Sequence, residues 1–266
     1  MLIGRTTHIN MSCLHIMFKL TYQTVNGNTI YIRELLNAHY LDIVKYITND
    51  DNDGLALCFN EITQELTNNA VLTCLDVFLI MLELRSVCVG DELQLQIEGF
   101  NGLIKISIGS IIDKLKNVNL SDYISYIPKQ LTAQKYEVED FLMVDSADEL
   151  PASVLINLNN VIKQINELTT KVNIINKNDK AGIKEIPFNL FDGTLFEVLK
   201  LIFKDNLLNY YQVMYTLSSK AYVDINTFKQ MTPVESKILV SFYTEEMKKE
   251  EEETKKITNG NVYNKQ

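Results

Sequence analysis

Residues 75–108 read LDVFLIMLELRSVCVGDELQLQIEGFNGLIKISI, and the fold class turns on this stretch. Val77 to Leu84 is almost wholly apolar, which predicts a helix buried on all sides. Arg85 to Gly90 interrupts the apolar run and predicts a break. Beyond it Leu93, Leu95 and Ile97 alternate with Gln94, Gln96 and Glu98. After Phe100-Asn101-Gly102, Ile104, Ile106 and Ile108 alternate with Lys105, Ser107 and Gly109. Period-two alternation in two runs joined by a glycine-containing turn predicts a β-hairpin. No cluster of reactive side chains lies in the stretch.

Working outward toward the N-terminus, Asn49 to Gly54 predicts an acidic turn between two helices. The first runs from Glu34 to Thr48, with Leu35, Leu36, His39, Ile43, Val44 and Ile47 on one face. The second runs from Leu55 to Leu66 and ends at Asn68-Asn69. Before them, residues 15–33 alternate around Asn26-Gly27, a strong local signal for a hairpin. Residues 1–16 fit no pattern, and a start at Met17 would account for that leader. The N-terminus carries no basic segment followed by an apolar core of the kind that directs export.

Toward the C-terminus, Ser110 to Lys116 predicts a short helix or loop. Leu120 to Leu131 predicts an irregular connection, and Val138 to Val144 a third β segment. Leu155, Leu158, Ile162, Ile165 and Leu168 recur at helical steps and predict a long helix over Ala152 to Val172. Lys171 to Ile186 predicts a polar loop before Pro187. The last third predicts helices over Leu190 to Phe203 and Leu207 to Ala221, and a final one opened by Thr232, Pro233 and Glu235. Thr at the cap, Pro at the first helical position and Glu three residues after the cap form a capping box. Past Tyr243 the run EEMKKEEEETKK places Glu245–Lys249, Glu251–Lys255 and Glu252–Lys256 in the favourable i,i+4 order, predicting a solvated helix that frays near Asn259-Gly260.

The expected fold is therefore α+β and mostly helical. It has an N-terminal β-hairpin plus helices, a second hairpin after a buried helix, and a C-terminal helical bundle. Four segments follow: a leader over 1–16, an N-terminal α+β unit over 17–145, a helix and polar linker over 151–186, and a helical region with a charged tail over 187–266.

Composition narrows function by exclusion. A chain of 266 residues buries about 70–75% of its unfolded surface. Its net charge of −9 argues against a nucleic-acid partner, since phosphate binding draws on an excess of cations. The longest apolar run, Val77 to Leu82, is far short of the ~20 residues that span a bilayer. Cys13, Cys58, Cys74 and Cys88 show no paired spacing, and Cys58, Cys74 and Cys88 read as small reduced core residues, which fits a reducing compartment. Three histidines, all within the first 39 residues, and no phosphate loop or nucleophile motif leave little for acid–base catalysis. The expectation is a protein without catalytic residues, metal or cofactor.

Only Arg5, Arg33 and Arg85 among the 25 cationic residues are arginine. An arginine retained in so lysine-rich a chain points to use of its planar fork, so Arg33 and Arg85 are expected to pair with carboxylates, Asp76 and Asp91 being the candidates for Arg85. Gly90 and Asp91 mark the step beside it. His39 reads as a core or boundary histidine. Asn49 to Asn60 resembles an EF-hand loop in spacing but places Asn60 where a bidentate glutamate is needed; calcium binding is the alternative from another functional class. A groove among Phe196, Phe203, Tyr211 and Tyr215 is the candidate partner site.

Four places in this order resemble the baseplate hub assembly protein family of T-even-type contractile-tailed bacteriophages. They are FKLTYQTVNGNTIYIRELLNAHYLDIVKYI (18–47), DVFLIMLELRSVCVGDELQL (76–95), FDGTLFEVLKLIFKDNLLNYYQVMYTLSSK (191–220) and MTPVESKILVSFYTEEMKKEEE (231–252). The resemblance does not extend over Asp113 to Pro187. It implies assembly rather than catalysis: a chaperone-like morphogenesis factor bound to hub or tail tape-measure proteins, or a permanent hub subunit. The location it implies is the cytoplasm of an infected bacterium or the virion baseplate. It carries over no catalytic residue and no cofactor.

Overall fold

A computed structural model describes residues 20–96, 103–116, 127–134, 151–153, 155–156, 169–174, 184–189 and 195–262. The fold is α+β and mostly helical. In chain order the elements are β1 (Leu20–Gln23), β2 (Thr29–Ile32), α1 (Asn37–Thr48), α2 (Asn52–Leu66), α3 (Cys74–Cys88), β3 (Glu92–Gln96), β4 (Leu103–Ser107) and α4 (Ile108–Lys116). They continue with β5 (Thr169–Ile174), β6 (Lys184–Asn189), α5 (Leu195–Ile202), α6 (Leu207–Lys220), α7 (Ile225–Gln230) and α8 (Pro233–Val262).

The quoted stretch folds as a buried helix followed by a hairpin, with different boundaries. Helix α3 begins before Val77 because Thr73 and Asp76 cap it. Asp76 N–H donates to Thr73 Oγ1 at 3.2 Å, while Thr73 N–H and hydroxyl donate to Asp76 Oδ2 at 2.9 and 2.8 Å. The helix then runs through Arg85 to Cys88, so the expected break shrinks to Val89-Gly90. Gly90, at φ 133°, takes a conformation that side chains disfavour and donates its N–H to Arg85 O at 3.0 Å. Strands β3 and β4 pair antiparallel from Glu92↔Ser107 to Gln96↔Leu103. Ile108 opens α4 instead of extending β4. It is buried with Ile111 and Ile112, and this i, i+3, i+4 spacing coincides at Ile108 with the strand alternation.

At the first hairpin, β1 pairs with β2 from Leu20↔Ile32 to Gln23↔Thr29, putting Tyr22 and Ile32 inside. Gly27 N–H donates to Thr24 O and Thr24 N–H to Asn28 O, both at 2.8 Å, with Gly27 at φ 78°. This is a three-residue loop ending in a left-handed glycine. Residues 15–19 lie outside the described residues. Helix α1 starts at Asn37, three residues later than expected, because Leu36 is extended, at φ −89° and ψ 162°, and takes the cap position. Arg33 N–H goes to Leu66 O at 3.0 Å, Leu35 N–H to Cys88 Sγ at 3.3 Å and Leu36 N–H to His39 Nδ1 at 3.2 Å.

The largest departure lies past Pro151. Residues 152–153 and 155–156 are helical as expected, but Thr169–Ile174 and Lys184–Asn189 are strands paired from Thr169↔Asn189 to Ile174↔Lys184. They extend the second hairpin into a sheet of order β3-β4-β5-β6. Helical spacing of leucines and isoleucines gives way at Thr169-Thr170-Lys171-Val172, where β-branched residues favour an extended chain. Pro187 sits in the edge strand, the position in a sheet that best tolerates a missing N–H. The region expected over Val138 to Val144 lies outside the described residues.

The core is continuous from Tyr22 to Phe228. Phe59 of α2 packs on Phe196 and Phe203 at ring-centroid distances of 6.5 and 5.6 Å, and Tyr40 of α1 lies 6.4 Å from Phe203. The C-terminal helices complete the core that the N-terminal helices begin. Asn37, buried at the start of α1, donates through Nδ2 to Phe228 O at 2.9 Å and Ser236 Oγ at 2.5 Å. Its backbone N–H donates to Met231 O at 2.7 Å, and its carbonyl accepts the Tyr210 hydroxyl at 2.9 Å.

Candidate docking face

The arginines split. Arg33 behaves as expected, though with a partner from α2: Nη2 lies 3.7 Å from Glu65 Oε1 and donates to Glu65 O at 2.5 Å. Arg85 does not pair with Asp76, which sits about two and a half turns away near the opposite end of α3. There Asp76 accepts Val25 N–H at 2.8 Å and the Tyr22 hydroxyl at 3.1 Å, fastening the first hairpin to the helix. Nor does Asp91 form an ion pair with Arg85. Asp91 accepts Gly109 N–H and the hydroxyls of Ser86 and Ser107, each at 2.7 Å, and so caps α4, where a carboxylate meets the positive helix end. The Arg85 guanidinium is buried and donates to carbonyls, Nε to Ile202 O at 3.1 Å and Nη1 to Gly90 O. Burial pulls its pKa down, opposed by the nearby Tyr40, Asp205 and Asp91. Its role is to clamp the end of α5 to the end of α3.

The acidic turn is a helix cap. Asp51 Oδ1 accepts Gly54 N–H at 2.9 Å, so α2 begins at Asn52, inside the run that a calcium loop would need. Lys200 Nζ reaches Asp50 Oδ1 and Asn52 Oδ1, both at 2.7 Å. Asn60 instead donates to and accepts from the Leu131 backbone, at 2.8 and 3.0 Å. Among the described residues no three His, Cys, Asp or Glu side chains are grouped to hold a metal ion. The calcium reading therefore loses its geometry.

Between α1 and α2 lies a cleft of about 520 Å³, lined by His39, Asp42, Lys45, Tyr46, Cys58 and Glu65 among others. Two close contacts cross its lining: His39 Nε2 lies 3.5 Å from Glu65 Oε2, and Lys45 Nζ lies 3.1 Å from Asp42 Oδ1. Burial pushes the Cys58 thiol up to about 12 and the Cys88 thiol to about 11. Both are thiols at neutral pH, and the thiolate is the nucleophile.

The expected aromatic groove divides. Phe196 and Phe203 are both 0% exposed and belong to the core. Tyr211 and Tyr215 face outward, with Tyr215 67% exposed. Leu208, 64% exposed, stands one turn before Tyr211, so Leu208, Tyr211 and Tyr215 at i, i+3 and i+7 share one face of α6. Helix α8, packed beside α6, exposes Ile238 and, at 62%, Phe242 at i and i+4. Leu208, Ile238 and Phe242 lie outside the groove expected from the sequence. The available signal was that a surface helix of 14 residues carries a single charge, Lys220.

The capping box at Thr232 is as expected: Thr232 N–H donates to Glu235 Oε2 at 2.7 Å and Glu235 N–H to Thr232 Oγ1 at 3.3 Å, with Pro233 as the first helical residue. From Thr244 to Lys255 every residue of α8 is exposed. The helix runs on through Asn259-Gly260 to Val262, about 28 Å past Tyr243 at 1.5 Å per residue. The expected pairs Glu245–Lys249 and Glu251–Lys255 are not among the ion pairs of the described residues. No helix among those residues is long and apolar enough to cross a membrane. No protein-family model, curated protein or solved structure matches the chain.

Proposed function

We propose that this protein is a phage tail morphogenesis factor that binds baseplate hub or tail-core proteins and assists hub assembly without catalysis. The observation that carries a polypeptide-binding role is a solvent-exposed apolar row on each of the packed helices α6 and α8, Leu208, Tyr211 and Tyr215 on the first and Ile238 and Phe242 on the second. Exposed aromatic residues grouped in this way are the usual anchors of protein interfaces. Unassembled tail subunits expose apolar patches that aggregate unless masked, and a solvated helical arm beside such a face keeps the resulting complex soluble. The choice of phage hub proteins as partners rests on the four-segment resemblance in the sequence.

Co-expression with baseplate hub and tape-measure proteins, followed by affinity capture, tests the reading. Retention of a hub or tape-measure protein by the wild-type chain is the expected result; retention of none sinks it. A protein inventory of purified virions then separates an assembly factor, scarce in the particle, from a permanent subunit present in fixed ratio.

A further inference from the structure

Apolar rows alone do not name their occupant; the charges around them do. Helix α6 contributes only Lys220 over its 14 residues. The row Ile238–Phe242 on α8 leads directly into the arm, where residues 245–256 hold six glutamates and four lysines, including the uninterrupted block Glu250–Glu253. Four consecutive residues span more than one helical turn, so this block presents carboxylates around the whole circumference. The arm is exposed from Thr244 to Lys255, and its acidic excess has the same sign as the net charge of −9 on the chain. A second copy of the chain would bring two acidic arms together, and like charges facing one another oppose association. A polypeptide with an apolar stripe flanked by lysine or arginine gains on both counts: its stripe covers the α6 and α8 rows, and its cations meet the glutamates.

We propose that the α6–α8 face and the proximal α8 arm form a docking site for a basic amphipathic helical segment of a partner protein. The proposal deepens the polypeptide-binding role given above and rests on that role, not on the identity of the phage partner. Apolar rows supply the affinity, since burying large side chains is the main favourable term in association. The arm supplies selection by sign and a salt-sensitive encounter rate.

The test uses the full-length protein and a fluorescein-labelled peptide of about 18 residues, built from leucine and lysine with leucines at i, i+3, i+4 and i+7. A scrambled peptide of equal composition and a glutamate-for-lysine peptide serve as controls. Fluorescence anisotropy should show binding of the amphipathic basic peptide, with both controls weaker by about tenfold or more. The double variant Leu208→Ser, Tyr215→Ser changes two exposed positions, so it should keep the wild-type circular dichroism and melting profile while losing about tenfold or more in affinity. Replacing Glu250, Glu251, Glu252 and Glu253 by Gln should weaken binding and flatten its dependence on salt. Equal binding of the scrambled peptide, or unchanged affinity in the Leu208/Tyr215 variant, overturns the proposal. So does a salt-stable dimer in sedimentation equilibrium that the same variant dissolves, because a second copy would then be the occupant. Retention of tail proteins without peptide binding overturns this site and leaves the hub reading standing. Peptide binding without retention of any tail protein supports this site and sinks the hub reading.

Discussion

At the scale of single residues, the buried polar groups report how this chain is held together. Arg85 is the sharpest case, because its guanidinium has two carbonyls to satisfy, on Ile202 and Gly90. Lysine offers one ammonium on a flexible stem and does not span both acceptors. Arg85→Lys should therefore destabilise the fold by about 2 kcal/mol, the scale of losing one charge-assisted bond in a buried site. Urea denaturation followed by circular dichroism measures this; a change within about 0.5 kcal/mol, the usual range for neutral surface substitutions, would remove the clamp role. The sequence marked Arg85 as special but not its partners. Carboxylates at Asp76 and Asp91 were the obvious candidates by proximity in the chain, while the actual acceptor on Ile202 is 117 residues away. Such an acceptor is a backbone carbonyl, which no side-chain pattern advertises.

At the scale of elements, caps decide where helices begin, and some caps are readable while others are not. Thr232-Pro233-Val234-Glu235 was legible because each residue type in it has one favoured place. Thr73 with Asp76 was missed because aspartate, shorter than the usual glutamate, took the reciprocal position. The start of α1 was hidden for a different reason: a histidine does the capping. His39 Nδ1 accepts Leu36 N–H at 3.2 Å, which requires that nitrogen to be unprotonated. Burial lowers the His39 pKa below its ordinary 6.5, outweighing the opposing pull of Glu65, while Arg33 lowers it and Asp42 raises it. The neutral form is thus favoured in the folded state. Above pH 6.5 the ring is neutral in both states and its contribution is complete; as pH falls from 6.5 through the lower folded value, the unfolded chain takes up the proton first and stability drops. Stability of the wild type should fall more steeply than that of His39→Gln over this window, as measured by chemical denaturation at a series of pH values. Parallel curves for the two proteins would show that the histidine cap does not couple to folding.

At the scale of the whole molecule, periodicity announced most helices and both hairpins, because burial on one face or all faces leaves its mark in the order of residues. It did not announce which elements share a core. The segments before 145 and after 187 looked separable in the sequence, with a polar stretch between them. In the fold, Phe59 and Tyr40 from the first meet Phe203 from the second, and Asn37 joins α1 to α6, α7 and α8. The same sharing consumed half of the expected aromatic groove and left the outer half, with Leu208 and Phe242, as the docking face. If the core is shared, a cavity just past the end of α5 must be felt in α2. Phe203→Ala removes a side chain that is 0% exposed and should cost about 3–5 kcal/mol. Native-state hydrogen exchange localises that loss. Protection of the slowest amides in α2, α3 and α5 should fall by the same amount, since all three open through one global unfolding. Loss confined to α5, with α2 and α3 exchanging as in the wild type, would mean that the rear helices open as a unit of their own.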